Sequence, residues 1–429
     1  MPGKTLTAPD SSVQPSIHFL EQLTQGYCGK DFQVRFWDSS ELSVGHKPRF
    51  KLLLRHPRAL RNMFTSPSEL AMGEAFVRGD FDVEGDLETA FELADFLTCR
   101  DYSVMEKLRL GELLAELHGG KPQEDVFSGA ELHGALHSKE RDRRAVRYHY
   151  DVSNEFYELW LDRALVYSCA YFRSKDDSLE TAQTQKLDYI CRKLRLRKGD
   201  RLLDLGCGWG GLLMHAAKNY GVQSFGITLS VPQAELARRR IREAGLADRC
   251  RVEVCDYRDL QSDEFYDKLV SVGMFEHVGE TLLPAYFEQA WHLLRPGGVF
   301  LNHGISASAI FKRKGPSFIN RYVFPDGDLV PISAALRAAE SVGFEVCDVE
   351  SLREHYALTL RHWVRRLEAN SEQARSIVDE ATYRTWRLYM AGAAHAFVTG
   401  RNNLYQVLLS KPEHGESHLP LTREDWYAA

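Results

Sequence analysis

The chain has no long hydrophobic run and no clustered cysteines, and these absences limit what it can be. None of its apolar stretches approaches the roughly 18 residues that a membrane-spanning helix needs. The N-terminal segment, Met-Pro-Gly-Lys-Thr-Leu-Thr-Ala-Pro-Asp, lacks the apolar core of a secretory signal peptide. The eight cysteines are scattered without a C-x-x-C pair, so we interpret them as reduced thiols and expect no metal site. These features predict a cytoplasmic protein.

Excess charge of one sign is also small. The net charge of −6 over 429 residues argues against a nucleic-acid partner. Basic residues are clustered at Arg141–Arg147 and Lys312–Arg321, although such clusters are most often solvated faces. The hydrophobic content of 44% is enough for a sizeable core, and the length predicts about one to three domains.

The most informative segment that is present reads Leu-Leu-Asp-Leu-Gly-Cys-Gly-Trp-Gly, residues 202–210. An apolar strand runs into an acid, Asp204, and glycines follow at alternate positions. Glycine lets a turn pass close to a ligand where a Cβ would clash. The dinucleotide fingerprint differs, because its third glycine comes three residues after the second. Alternate glycines after an acid favour the amino-acid end of S-adenosylmethionine (SAM) over an ordinary glycine-rich turn.

Strand and helix patterns alternate after residue 145. The strands are predicted at 201–205, 223–229, 251–255, 268–273 and 298–304. The helices are predicted at 210–220, 231–244 and 281–294, with a turn at 295–298. Two further helices, at about 351–369 and 373–397, precede a final strand at 404–410. This order predicts an α/β fold with a doubly wound parallel sheet, and it fits the Rossmann-like sheet of class I SAM-dependent methyltransferases.

The N-terminal part has a different pattern. Residues 1–15 are polar and are predicted to be disordered, whereas apolar alternation between Phe32 and Leu54 predicts strands. Two helical runs flank a glycine-rich segment at 79–85. A linker at 119–125 predicts a smaller N-terminal accessory domain, 1–125, and a catalytic domain, 126–429.

Several motifs lie where the strands of the predicted sheet end, or in the segment that would cover them. They are His149–Asn154, Tyr167–Phe172 (Tyr-Ser-Cys-Ala-Tyr-Phe), Gly226–Ser230 with Gln233, Gly273–Gly279 (Gly-Met-Phe-Glu-His-Val-Gly) and Leu301–Ile305. Taken together they resemble the cyclopropane-fatty-acyl-phospholipid synthase family, which includes the mycolic acid cyclopropane synthases and related lipid C-methyltransferases. The resemblance covers about residues 130–410. The first 120 residues are more weakly similar to the lipid-associated accessory domain of longer bacterial synthases.

The resemblance implies a SAM site. Gly206 and Gly208 would face the methionine part, and Tyr167 and Ser168 would close over it. The remaining implied residues lie near the ribose and adenine: Thr228, Leu229, Gln233, Asp256 and Tyr257. Tyr257 could instead be a core-packing residue.

The implied chemistry needs a base and a dry site. A double bond attacks the sulfonium methyl, and the resulting carbocation must be protected from water until a proton leaves. Aromatic faces can stabilise the positive charge. The candidates are Tyr150, Tyr167, Phe172 and Phe275, each of which could instead be a core residue.

In the family that the chain resembles, the base is a bound bicarbonate ion. Its implied ligands are the backbone N–H groups of Cys169 and Ile305 and the side chains of Glu276, His303 and Tyr356. Two adjacent anions repel each other, so either Glu276 and bicarbonate share a proton or His303 is cationic.

The expected function is SAM-dependent methylene transfer to cis double bonds of phospholipid acyl chains. A second possibility within the same superfamily is a lipid C-methyltransferase that leaves a methyl or methylene branch. The sequence also leaves open a catalytically inactive lipid-binding module and a small-molecule methyltransferase. The basic and aromatic segment at 311–325 favours lipid, and it predicts peripheral association with the inner face of a membrane. A homodimer is compatible with the resemblance.

Overall fold

The computed structural model describes residues 13–29, 31–117, 129–261, 265–310 and 317–427. The strands within these residues are, in chain order, β1 (Phe32–Arg35), β2 (Glu41–Val44), β3 (Phe50–Leu54), β4 (Phe81–Gly85), β5 (Arg201–Leu205), β6 (Gln223–Thr228), β7 (Cys250–Val254), β8 (Tyr266–Val272), β9 (Leu294–Ala307), β10 (Glu345–Ser351) and β11 (Asn402–Ser410).

The helices complete the secondary structure of the described residues. They are α1 (Val13–Leu23), α2 (Ala59–Phe64), α3 (Glu69–Arg78), α4 (Leu87–Cys99), α5 (Val104–Glu116), α6 (Lys139–Tyr150), α7 (Asn154–Glu158), α8 (Leu179–Lys193), α9 (Gly211–Tyr220), α10 (Val231–Glu243), α11 (Leu283–Leu293), α12 (Phe318–Tyr322), α13 (Ile332–Val342), α14 (Arg353–Ala369), α15 (Ser371–Ile377), α16 (Glu380–Val398) and α17 (Glu424–Tyr427). Short 3₁₀ helices lie at Tyr257–Asp259, Phe275–His277 and Glu280–Leu282. No described helix has both the length and the apolar character needed to cross a membrane.

The chain divides into two compact units that are discontinuous in sequence. So far as their residues are described, the smaller comprises Met1–Gly129, Arg313–Val323 and Asp379–His395. The larger comprises Ala130–Lys312, Phe324–Val378 and Ala396–Ala429. The sequence predicted one boundary near residue 125 and did not anticipate the two later segments of the smaller unit.

The smaller unit is built on a four-stranded sheet in the order β2-β1-β3-β4. The strands predicted between Phe32 and Leu54 are present, and the rings of Phe32 and Phe50 stack on neighbouring strands at 5.4 Å. The glycine-rich segment at 79–85 contains β4, and α3 and α4 flank it as expected. Arg384 of α16 donates to Asp82 Oδ2 over 2.9 Å and to the Phe76 and Phe81 carbonyls, which fastens this helix to the sheet.

The larger unit contains a seven-stranded sheet in the order β10-β11-β9-β8-β5-β6-β7. The strands β9, β8, β5, β6 and β7 are mutually parallel, and β11 is antiparallel to both of its neighbours. Alternate residues of β5 pack on opposite faces: Leu202 belongs to one buried cluster, and Leu203 and Leu205 belong to the other. The predicted doubly wound α/β fold is confirmed.

Three local predictions need correction. The turn predicted at 295–298 is a bulge inside β9, because Leu294 pairs with Tyr266 and Val299 pairs with Lys268. The helix predicted at 373–397 is interrupted after Ile377. Residues 1–12 lie outside the described residues, but α1 already begins at Val13, within the segment predicted to be disordered.

Candidate active site

A cavity lies at the carboxyl ends of the parallel strands in the larger unit. Leu205, Thr228 and Val272, the last residues of β5, β6 and β8, line it, and so does Asp256, which follows β7. Its empty volume, including the open mouth, is about 1170 Å³. Ligands of doubly wound sheets bind at this edge, where the chain order reverses between β5 and β8.

The residues predicted to hold SAM all line this one cavity. They are Tyr167, Ser168, Gly206, Gly208, Thr228, Leu229, Gln233, Asp256 and Tyr257. Tyr150 lines it as well. The structure therefore brings together segments that are up to about a hundred residues apart in sequence.

The glycine turn after β5 requires glycine for its backbone as well as for space. The φ angles of Gly206, Gly208 and Gly210 are +116°, +52° and +78°, a region that residues with a Cβ rarely adopt. The N–H groups of Gly206 and Cys207 donate to the Ile227 carbonyl, which holds the turn against β6. A Cβ on Gly208 would meet no atom within 4 Å, so that position faces open space.

Polar groups at one end of the cavity are deeply buried. Burial raises the pKa of Asp204 to about 7, despite the nearby charge of Lys186. Among the described residues Asp204 Oδ1 has no hydrogen-bond partner. Lys186 donates to Ser168 Oγ over 2.8 Å, and Gln183 donates to the Val166 and Ser168 carbonyls. Lys186 and Gln183 were not predicted, because they lie on α8, a helix that the sequence patterns did not reveal.

In the part of the cavity after β7, an arginine binds Asp256, one of the residues predicted to lie near the ribose and adenine. Arg258 donates to both carboxylate oxygens of Asp256, and its Nη1 lies 3.0 Å from Asp142 Oδ2. Burial raises the pKa of Asp256, but the Arg258 hydrogen bonds outweigh it and leave that pKa below its ordinary value. Asp142, Val146 and Tyr150 lie one helical turn apart on α6 and line the cavity together. Arg258 was not among the residues predicted from the sequence.

The first basic cluster, Arg141–Arg147, thus belongs to α6, the helix that lines the cavity through other residues. Arg141 binds Asp326 through two hydrogen bonds of 2.5 and 2.9 Å, and Arg144 pairs with Glu140. The second basic cluster cannot be placed in the same way, because Lys312, Arg313 and Lys314 lie outside the described residues.

Glu276 and His303, both predicted to be catalytic, lie beside the cavity but do not line it. Glu276 is in the 3₁₀ helix after β8, between the lining residues Met274 and His277. The Ile305 N–H donates to Glu276 Oε1 over 2.7 Å. His303 lies on β9 opposite Val272, the last residue of β8. The structure thus places Glu276, His303 and Ile305 at the end of two adjacent strands.

The polar atoms of this pair are shielded from water. Glu276 Oε2 and His303 Nε2 are buried without a hydrogen-bond partner among the described residues. Burial raises the pKa of Glu276 to about 7 and lowers that of His303 well below 6.5, so the imidazole is neutral. The Gln406 amide nitrogen lies 3.2 Å from His303 Nδ1, and donation from that amide leaves the imidazole proton on Nε2.

Cys169 and Tyr356, the other predicted ligands of bicarbonate, both contact the carbonyl of Leu352. Cys169 Sγ lies 3.8 Å from the Leu352 carbonyl, and the Tyr356 N–H donates to that carbonyl. Burial raises the pKa of Cys169, so its thiol remains protonated and has no nucleophilic role. The Leu352 N–H in turn donates to the carbonyl of Leu404, which pairs with Ile305.

The aromatic candidates divide into two groups. Tyr150 and Tyr167 line the cavity with ring centroids 6.0 Å apart, and Trp363 packs against Tyr167 at 5.2 Å. Phe172 and Phe275 are buried and do not line it, so their packing supports the core interpretation. His277 lines the cavity, and burial lowers its pKa to about 4, so it presents a neutral ring.

Comparison with known proteins identifies the family of the chain. The sequence model of the family described as mycolic acid cyclopropane synthetase matches residues 137–407, and a domain of unknown function (DUF7884) matches residues 19–96. A "Probable fatty acid methyltransferase" of Pseudomonas putida is 44% identical over 400 residues, covering 92% of this chain and 96% of the relative. A cyclopropane-fatty-acyl-phospholipid synthase of Escherichia coli is 37% identical over 285 residues, which are 66% of this chain and 72% of that protein.

A solved structure extends the likeness to the fold. The mycolic acid cyclopropane synthase CmaA1, complexed with SAH and CTAB, superposes with a TM-score of 0.59 and 36% identity over 62% of this chain and 97% of that one. The family-model match, residues 137–407, contains every residue that lines the cavity and all of the seven-stranded sheet except the last three residues of β11. The chain belongs to the mycolic acid cyclopropane synthetase family, whose members are SAM-dependent lipid cyclopropane synthases and methyltransferases, and it is an enzyme of this kind.

Proposed function

We propose that this enzyme adds a methylene group from SAM across a cis double bond of a phospholipid acyl chain and forms a cyclopropane ring. The observation that carries the proposal is the pair of shielded, unpartnered atoms Glu276 Oε2 and His303 Nε2 beside the SAM cavity. Ring closure needs a proton acceptor that is shielded from water, because water would otherwise trap the carbocation.

The cavity residues fit SAM. Position 208 faces open space, and Asp204 is a buried acid with an unpartnered oxygen that suits the methionine ammonium. Thr228, Gln233, Asp256 and Tyr257 supply polar and aromatic groups for the ribose and adenine. SAM supplies the electrophilic methyl carbon at its sulfonium. Tyr150 and Tyr167 present ring faces that stabilise positive charge without attacking it.

The atoms balance once a base accepts one proton. One alkene carbon bonds to the methyl carbon as the sulfonium–carbon bond breaks, and the thioether SAH is released. The other alkene carbon becomes cationic, the transferred methyl loses one proton, and that C–H electron pair closes the ring. The lipid thus gains CH2.

The residues around Glu276 fit a bicarbonate ion, which would supply the base for that proton. His303 Nε2–H would donate to it, and Glu276 Oε2 would accept from or donate to it according to its protonation. A neutral His303 and a Glu276 whose pKa is about 7 support the shared proton over the cationic histidine. The Ile305 N–H, expected to contact bicarbonate, is instead directed at Glu276 Oε1.

Mass spectrometry of the lipids from a host that expresses this chain tests the function. Cyclopropanation predicts a gain of 14 mass units (CH2), a product inert to ozone, and a dependence on dissolved bicarbonate. A product of the same mass that ozone cleaves would be a methylene branch and would overturn the ring assignment.

Branch formation is the second candidate, because the Pseudomonas putida relative carries the name of a fatty acid methyltransferase. A methyl branch requires two added hydrogens, so its product is 16 units heavier and needs a reductant. We further propose that the enzyme is cytoplasmic and meets its substrate at the inner face of the membrane. The smaller unit would serve as a lipid-associated accessory domain, and a homodimer is the proposed assembly.

A further inference from the structure

Lys186 is a buried cation in the wall of the SAM cavity. Its residue is 1% exposed, although lysine is almost never fully buried unless it is paired. It lies on α8 and lines the cavity together with Ser168, Asp204 and the glycine turn. The ammonium therefore stands between the protein interior and the space for the ligand.

Few protein groups satisfy this ammonium. Its Nζ donates to Ser168 Oγ over 2.8 Å, and this is its one hydrogen bond to the described part of the chain. No described carboxylate forms an ion pair with it, since none approaches within 4.0 Å. An ammonium has three N–H groups, so two of them remain available.

The nearest acids compensate the charge only in part. Asp162 accepts from the Ala164 and Val166 N–H groups over 2.9 and 2.8 Å, so its charge is already stabilised by the backbone. Burial raises the pKa of Asp204 to about 7, which leaves it partly protonated at neutral pH. Burial likewise lowers the pKa of Lys186 to about 8, and Asp162, Cys169 and Asp204 offset this only partly.

We infer that Lys186 binds the α-carboxylate of the methionine part of SAM. A buried cation is stabilised when an anion reaches it and accepts its remaining hydrogens. The carboxylate is the anionic group of SAM, and Gly206 and Gly208, which suit the methionine part, line the same cavity. Gln183 donates to the backbone carbonyl of Ser168, the residue whose hydroxyl accepts from the ammonium. This inference rests on SAM being bound in the cavity as proposed.

Lys193 provides a matched control on the same helix. It is also fully buried, but its ammonium is paired with Glu350 at 2.5 Å and with Asp348 at 3.6 Å, and it does not line the cavity. Replacing either lysine by methionine removes a buried charge of α8. Only Lys186→Met removes a charge that faces the ligand.

Isothermal titration with SAM and with decarboxylated SAM tests the inference, since the two ligands differ only in the carboxylate. The wild-type protein should bind SAM about 10- to 100-fold more tightly, the range for a hydrogen-bonded charge pair. Lys186→Met should reduce that preference to less than about threefold, and Lys193→Met should retain it. An unchanged preference in Lys186→Met, or an equal loss of affinity for both ligands, would overturn the inference.

Two measurements decide the matter even if Lys186→Met does not fold. Wild-type protein that binds both ligands equally would overturn the role of Lys186, while binding of neither would overturn the SAM site itself. Ser168→Ala leaves the ammonium in place and should keep the preference for SAM. Loss of the preference in that variant would assign the carboxylate to the hydroxyl instead.

Discussion

The SAM cavity and the Glu276–His303 pair beside it differ in how far their polar groups are open to water. The cavity is formed by strand ends and a glycine turn. It contains engaged polar pairs, Arg258–Asp256 and Thr228–Gln233, and also Asp204, whose Oδ1 has no partner among the described residues. The Glu276–His303 pair does not line the cavity, and Glu276 Oε2 and His303 Nε2 are each buried without a partner among the described residues. Under the proposed function, the cavity binds SAM and the Glu276–His303 pair handles the proton.

The largest expected effect is a loss of SAM binding caused by a substitution in the cavity. Gly208→Val should abolish SAM binding, because the added side chain would enter the open space that faces position 208. It should also cost stability, since a β-branched residue at φ +52° is strained by about 1–2 kcal/mol. Titration with SAH and thermal unfolding measure the two effects separately.

Gly245→Val is the matched control. Gly245 also has a positive φ, +67°, and a Cβ there would meet no atom within 4 Å, but it lies outside the cavity lining. The control should lose similar stability and keep SAH affinity. Unaltered SAH binding in a folded Gly208→Val protein would remove the basis for placing SAM here.

A smaller expected effect is the pH dependence of stability that Glu276 causes. The pKa of Glu276 is raised from 4.5 to about 7 in the folded protein, so the folded state holds a proton that the unfolded chain releases. Glu276 therefore lowers the free energy of unfolding as the pH rises from about 4.5 to about 7. We expect the free energy of unfolding of Glu276→Gln, relative to that of wild type, to be about 1–3 kcal/mol higher at pH 8 than at pH 5. Denaturant unfolding of both proteins at both pH values measures this difference.

The control for this pH effect is Glu280→Gln, which changes an exposed glutamate nearby. Its stability relative to wild type should differ little between pH 5 and pH 8. If Glu276→Gln also shows no difference between the two pH values, Glu276 is not held protonated by burial.

The smallest expected effect concerns the far end of the cavity. Arg258→Gln leaves Asp256 and Asp142 without their shared cation and should weaken SAM binding by roughly 3- to 30-fold. Arg251→Gln, at an exposed arginine on β7, serves as the control. Equal SAM affinity in both variants would mean that Asp256 does not depend on Arg258 to bind the ligand.

Much of the cavity could be predicted from the sequence because its residues follow strands directly. Asp204, Gly206 and Thr228 stand at or just beyond the ends of β5 and β6, and the carboxyl ends of parallel strands meet at one edge. Lys186 and Arg258 could not be predicted in this way. Their roles arise from tertiary contacts with Ser168 and Asp142, and no local periodicity records such contacts.

The fold shows the same limit. The apolar strands β5 to β9 were predicted, whereas the edge strand β10 was missed because its residues are mostly exposed or half-buried and polar. The bulge at 295–298 was taken for a turn, since Pro-Gly-Gly has the same sequence signature in both settings. For Glu276 and His303 the sequence supplied a family resemblance, but their shielding from water depends on packing around β9.

The division between binding and proton handling is tested most directly by Glu276→Gln, measured for SAM affinity and for turnover on the same preparation. The account predicts a Kd within about threefold of wild type and a kcat lower by about 10²- to 10⁴-fold, the contribution of a positioned general base. A kcat within threefold of wild type, or a parallel loss of SAM binding, would contradict it.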